Sequence, residues 1–259
     1  MDIFAFSPEA FLSFLLTFMR VSIVLFFLPF YGGDAIPTSV KVSVSLMLTL
    51  ALWPKLAIAG ASMPAHPFGL VVLLLGESVF GLVMGLSVHF IFAGLQTGGQ
   101  VVGLQMGFSM LSFADPLSGA QVTATSQFLY MTALMVFLVL DGHLHLLRAL
   151  TDSFTLVPPG GVVHPERLTH TVIELSAGMF LLAVRIAAPI IAALLLVELS
   201  LALMGRAAPQ MNLITFGFPI KIAVGFFFLG LLFTVLANYM EELVVGLGPM
   251  LRNLMRMGT

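Results

Sequence analysis

An all-α integral membrane protein is the fold class this sequence predicts, and three observations predict it. Of 259 residues, 59% are hydrophobic and only 8% are charged, against about 25% charged in an ordinary soluble domain. Mean hydropathy is +1.11. The apolar residues fall in runs near the roughly 20 that cross a bilayer as a helix, and an open sheet cannot satisfy its backbone in lipid. Ten basic and twelve acidic residues cannot cover a soluble globule of this length, so a soluble enzyme is excluded. Disorder needs low hydrophobicity and is excluded too. A net charge of -2 with no basic cluster argues against nucleic-acid binding. With no cysteine there is no disulfide and no cysteine metal or redox chemistry.

Six candidate spans follow in order. The first covers about Phe11–Phe30, the second about Val40–Ile58 and the third about Gly69–Leu95. The fourth covers about Ser126–Leu140, the fifth about Val172–Met204 and the sixth about Leu213–Tyr239. The fifth is too long for one straight crossing, which implies tilt, a kink at Pro189 or an end outside the lipid. Asp2 and Glu9 precede the first basic residue, Arg20, so the start does not read as a cleavable leader and the first span is expected to be retained. Six spans put Lys55, Arg148, Arg167, Arg252 and Arg256 on one side and Lys41 and Arg206 on the other. The five-charge side is expected to be cytoplasmic.

Residues 94–125 do not read as a simple span. Gly81 and Gly85 lie four apart just upstream, and Gly94 with Gly98, then Gly99, Gly103 and Gly107, repeat the spacing. Glycine every four residues leaves a bare stripe that lets another backbone approach. Gln96, Gln100 and Gln105 are interleaved, so the segment suits protein packing better than lipid. No Lys-Ser/Thr follows the glycines, which argues against a phosphate loop. Beyond Gly107 comes FSMLSFADP, where Asp115-Pro116 is expected to stop the helix and Ser118-Gly119 to extend the turn. This leaves a short Met- and Phe-bearing loop between two helices. Flexible apolar side chains can close an aqueous path by excluding water; filling a core is the plainer alternative.

Arg20, Glu77, His89, Glu174, Arg185, Glu198 and Lys221 interrupt the apolar runs. Each is costly in lipid and needs protein, water or an opposite charge. Arg185 and Glu198 are 13 residues apart and fall on different helix faces, so they need separate partners. Such charges suit ion pairs within or between chains, or an ion or solute pathway. No HExxH, GxSxG or Ser/His/Asp set appears, and His143 and His145, two apart, diverge on a helix. No enzyme, cofactor or metal site is therefore expected.

The run LMGRAAPQMNLITFGFPIKIAVG, Leu203 to Gly225, resembles the signature of the FliR family of flagellar export-gate proteins, whose virulence-system counterparts are called SctT. Its most specific piece is the spacing from Ala208 to Pro219, which includes Pro209, Gln210, Asn212 and Gly217 after Arg206. GGQVVGLQMGFSMLSFADP, Gly98 to Pro116, resembles the family's glycine-rich segment and following loop. DGHLHLL, Asp141 to Leu147, resembles its polar turn and helix.

The resemblance covers nearly the whole chain and implies one FliR-like domain over 1–259. It implies a structural subunit that forms a pore with FliP-like and FliQ-like chains, beside an FlhB-like protein and inside the basal-body ring. Unfolded exported proteins are the implied cargo, and the bacterial inner membrane at the flagellum base the implied location. It further implies a shape like FliP and FliQ joined together, with Arg20 and Lys221 meeting other subunits. The plug loop falls at about Met106 to Leu117, with Met106, Phe108, Met110, Leu111 and Phe113 as closing groups next to Asp115 and Pro116. The Arg206–Asn212 turn is expected to contact a partner, and Pro219 to kink the last helix or mark its start. A secondary transporter of small solutes is the rival reading, motivated by the intramembrane charges and the prolines at 189 and 219.

Overall fold

A computed structural model of the chain describes residues 8–33, 36–56, 64, 66–108, 123–159, 165–208, 210 and 213–258. Among these, regular structure is helical throughout: α1 Pro8–Phe26, α2 Thr38–Leu56, α3 Pro67–Met106, α4 Ala124–Val139, α5 Gly142–Leu156, α6 Pro165–Ala207 and α7 Leu213–Gly258. Four of them are long and apolar enough to cross a membrane: α1, α3, α6 and α7. The bent pair α4–α5, with 68° between its halves, makes five if it counts as one span. The protein is thus a multi-pass membrane protein.

The candidate spans map unevenly. The second is α2, a shorter apolar helix with Pro54 inside it. The third and the glycine-rich segment merge into one 40-residue helix, about 60 Å long at 1.5 Å per residue. The fifth is continuous through Pro189 and reaches 43 residues. The sixth extends to 46 residues. Pro219 neither starts nor precedes α7; it is the seventh residue inside it.

The chain divides into two compact units, and α3, α6 and α7 each contribute a portion to both. One unit contains residues 1–90, 141–175 and 243–259. Its core includes Leu16, Val21, Phe80, Met84, Leu150 and Phe154. Here α2 packs on α1 and touches α5. α2 is polar inward and apolar outward: Lys41, Ser45 and Thr49 are buried at helical spacing, while Val40, Val44, Met47 and Leu50 are exposed. Ser45 and Thr49 satisfy themselves by donating to the carbonyls four residues back. Lys41 donates to the carbonyls of Gly32 and Gly33, which closes the turn after α1. Arg252 on α7 reaches Asp152 on α5 at 3.3 Å.

The other unit contains residues 91–140 and 176–242. Its core is built from Phe92, Leu95, Val102 and Met106 of α3, Leu129 and Phe137 of α4, Ile190 and Leu194 of α6, and Leu229 of α7. Phe92 meets Phe137 edge-on at 5.4 Å.

Candidate functional site

Six glycines of α3 meet three different neighbours. Gly81 and Gly85 lie against α1, where an added Cβ meets the Arg20 carbonyl at 3.3 Å and Phe27 Cβ at 2.6 Å. Gly94 and Gly98 lie against α6, with Cβ positions 2.8 Å from the Met179 carbonyl and 3.0 Å from that of Ala183. Gly99 and Gly103 lie against the start of α4, Gly99 2.7 Å from Ser126 Cα and Gly103 on the side chains of Thr123 and Thr125. A spacing of four keeps each pair on one face; 81/85 and 99/103, 18 residues apart, share a face at different heights, while 94/98 lies on another.

Gly107 does something else. Its φ of 95° is left-handed. Phe108 N–H donates to the Gly103 carbonyl at 3.0 Å, and Gly107 N–H to that of Leu104 at 3.1 Å. That is a Schellman cap, with glycine at the left-handed position after the last helical residue. So Gly107 stops α3 eight residues before Asp115, and the expected Asp-Pro stop is corrected.

The chain returns to α3 close to where it left. Thr123 N–H donates to Gln100 Oε1 at 2.8 Å, and Thr125 Oγ1 donates to the Gly99 carbonyl at 3.0 Å. Thr123 Oγ1 also accepts from Ser126 N–H and caps α4. Gln100 is eight residues below Phe108, about 12 Å along the helix. Both stems of the 109–122 segment are therefore held by one helix. Met106 is the last residue of α3 and fully buried, its thioether filling the space left by Gly225. Rather than a free closing group, it is packed into α7. Phe108 meets Phe226 at 6.3 Å. Met110, Leu111, Phe113, Asp115 and Pro116 lie outside the described residues.

Arg20 forms the most elaborate polar cluster. It is 0% exposed. Nε and Nη2 donate to the two oxygens of Glu77 at 2.6 and 2.9 Å, the forked geometry that makes Arg–carboxylate pairs strong. Nη1 donates to the carbonyls of Ser153 and Val157 at 3.1 and 2.9 Å, and to Ser153 Oγ at 3.3 Å. Those carbonyls lie at the end of α5, which carries partial negative charge; that of Ser153 also accepts from Val157 N–H at 2.9 Å. The rings of Phe80 and Phe154 cover the guanidinium at 4.7 and 4.6 Å. One side chain of α1 thus ties α3 and the end of α5 together.

Lys221 on α7 pairs with Glu198 on α6 at 2.5 Å. Arg20, fully buried, thus departs from the expectation that it meets another subunit, and Lys221 finds a carboxylate within this chain. Their partners stand 57 and 23 residues away in the same chain, separations that no one-helix spacing displays. His89 lies edge-on to Phe27 at 6.2 Å. Arg185 is exposed, and no described carboxylate pairs with it.

Between Glu198 and Lys221 lies the turn motif. Ala208 N–H donates to the Met204 carbonyl at 2.8 Å and continues the last turn of α6. Arg206 and Gln210 are exposed. Gly217 sits against Leu201, its added Cβ 3.3 Å from that side chain. Pro209 and Asn212 lie outside the described residues.

The helices, the capped glycine-rich segment and the turn motif belong to a stretch that matches one family model, described as bacterial export proteins, family 1, over residues 11–246. The chain belongs to this family. Its FliR relatives cover most of it. The flagellar biosynthetic protein FliR of Escherichia coli (strain K12) is 31% identical over 87% of this chain and 85% of the relative. That of Pectobacterium carotovorum subsp. carotovorum is 32% identical over 87% and 86%. That of Bacillus subtilis (strain 168) is 30% identical over 89% and 91%.

In this FliR-family chain, sequence reading missed the acceptors of Arg20 and the role of Gly107. Backbone carbonyls of residues 153 and 157 carry no sequence signal. The Gly107 cap did carry one, a glycine followed by the apolar Phe108. Gly103→Ala tests the α3–α4 contact. It is expected to cost about 1–3 kcal/mol by overpacking, because its Cβ would fall on both threonines. Thermal unfolding of the purified chain measures this, and an unchanged midpoint would show that α4 can move away freely.

Proposed function

We propose that this chain is a non-enzymatic structural subunit of the flagellar type III protein export gate. It forms the pore with FliP-like and FliQ-like subunits, next to an FlhB-like protein, in the inner membrane at the flagellar basal body. Unfolded exported proteins pass through that pore, and the part of the Met106–Leu117 segment beyond the buried Met106 closes it. The family match carries this reading, because it runs from residue 11 to 246 and so includes the glycine-rich helix, the loop and the turn motif. Geometry supports the closing role: a loop whose two stems are bonded to one helix can hold apolar side chains at a fixed place. The rival solute-transporter reading drew on intramembrane charges, and four of these pair off inside the chain.

The experiment is co-purification. An affinity-tagged version of this chain, expressed with its FliP-like and FliQ-like partners, is expected to bring both down in one stable complex after detergent extraction. Recovery only as a monomer or a symmetric homo-oligomer would overturn the proposal. Solute flux through the purified chain alone in liposomes would favour the transporter.

A further inference from the structure

The exposed face of α6 is too long for lipid and carries a charge that lipid does not accept. Ile173, Phe180, Leu181, Val184, Leu196 and Leu203 are all at least half exposed. From first to last they span 30 residues, about 45 Å along a helix, against a hydrocarbon core of about 30 Å. Fitting that row into the core needs a tilt of about 48°, beyond the 0–40° range of membrane helices. So part of the apolar row lies outside any bilayer, where water would leave it uncovered.

Arg185 stands within this row, exposed next to Val184. Arg20 and Lys221, two other basic residues in the apolar runs, each have a carboxylate in the chain, and Arg185 has none among the described residues. An apolar surface that exceeds the bilayer calls for protein. A guanidinium set in that surface calls for an anion at the same height.

We infer that the Arg185 face of α6 is a subunit interface, covered by an apolar helix of a neighbouring gate subunit that presents an Asp or Glu carboxylate to Arg185. This rests on the gate reading above and names one contact within it. It differs from the Arg20 and Lys221 pairs, which are complete within this chain.

The test uses the whole gate, co-expressed with its partner chains. Arg185 is exposed and its electrostatic neighbour within this chain is the Tyr239 phenol rather than a carboxylate, so its replacement is expected to leave the fold intact. Arg185→Glu is expected to lower recovered complex at least about tenfold, with the same amount of this chain in the membrane. Arg185→Lys is expected to retain most of it. Because the sequence has no cysteine, Arg185→Cys introduces a sole thiol. A water-soluble maleimide is expected to label it in the isolated chain in detergent and not in the assembled gate. If the unsubstituted chain assembles and Arg185→Glu assembles to within about twofold, the inference is overturned while the gate reading stands. Equal labelling in the gate overturns it too, since Arg185 then faces a water-filled passage. If the unsubstituted chain recovers no partners, both fall.

Discussion

Glu77→Ala is expected to destabilise the protein by about 3–5 kcal/mol, the range for removing one partner of a buried ion pair. The reason is the charge left behind. Arg20 is 0% and Glu77 3% exposed, and the two carboxylate oxygens take the Nε and Nη2 protons. Without them, a guanidinium shut under two phenyl rings keeps only the Ser153 and Val157 acceptors on Nη1. Glu77→Gln keeps an acceptor and the volume, so it is expected to fall between wild type and Glu77→Ala. The double replacement Arg20→Met with Glu77→Leu removes both charges. It is expected to recover much of the loss, since matched apolar groups often replace a buried pair at little cost. It is not expected to restore the capping of α5, so some deficit should remain. Denaturant unfolding followed by Trp53 fluorescence measures all three. Trp53 is the one tryptophan, and its Nε1 donates to Ser13 on α1 at 3.3 Å. A loss below about 1 kcal/mol for Glu77→Ala would mean that water or a local opening solvates Arg20.

How far the sequence speaks depends on how local the cause is. Composition and run length name a helical membrane protein, because lipid leaves the backbone few solutions. The four-residue glycine spacing marks close approaches along α3, since spacing on one helix is a local property. It cannot say that 81 and 85 meet α1, 94 and 98 meet α6, and 99 and 103 meet α4. The charges announce that they need partners, yet the partners stand on other helices, chosen by the fold. Helix ends were misread where two signals overlapped: Gly107 continues the stripe and also caps the helix, and its φ of 95° decides in favour of the cap. In the 141–171 connection, α5 is amphipathic rather than apolar, so hydropathy saw a loop. The resemblance of Asp141–Leu147 to a turn and helix found it, and Asp141 at φ 55° is that turn.

Deleting Met110 to Phe113, or replacing those four residues with glycine, is expected to make the assembled gate leak small ions. Two anchors hold the loop. At the α3 end the Schellman bonds fix Gly107 and Phe108. At the α4 end Thr123 and Thr125 bond to Gln100 and Gly99. Shortening or stripping the segment between these anchors leaves the anchors themselves in place, so the gate should still assemble. What disappears is the set of Met, Leu and Phe side chains that exclude water, and an apolar constriction conducts once it stays wetted. Methionine suits such a role because its unbranched chain adapts to its neighbours and refits after each passage. Met106→Ala makes the informative contrast. That side chain is buried against Gly225, so its truncation should cost about 2–5 kcal/mol of packing and little tightness. Conductance of cells expressing the complete gate, compared at equal amounts of assembled complex, separates the two. A leak from the glycine variant with a sealed but less stable Met106→Ala gate is the expected pattern. Unchanged conductance in both the deletion and the glycine variant would remove the closing role from this loop and leave it a packing element.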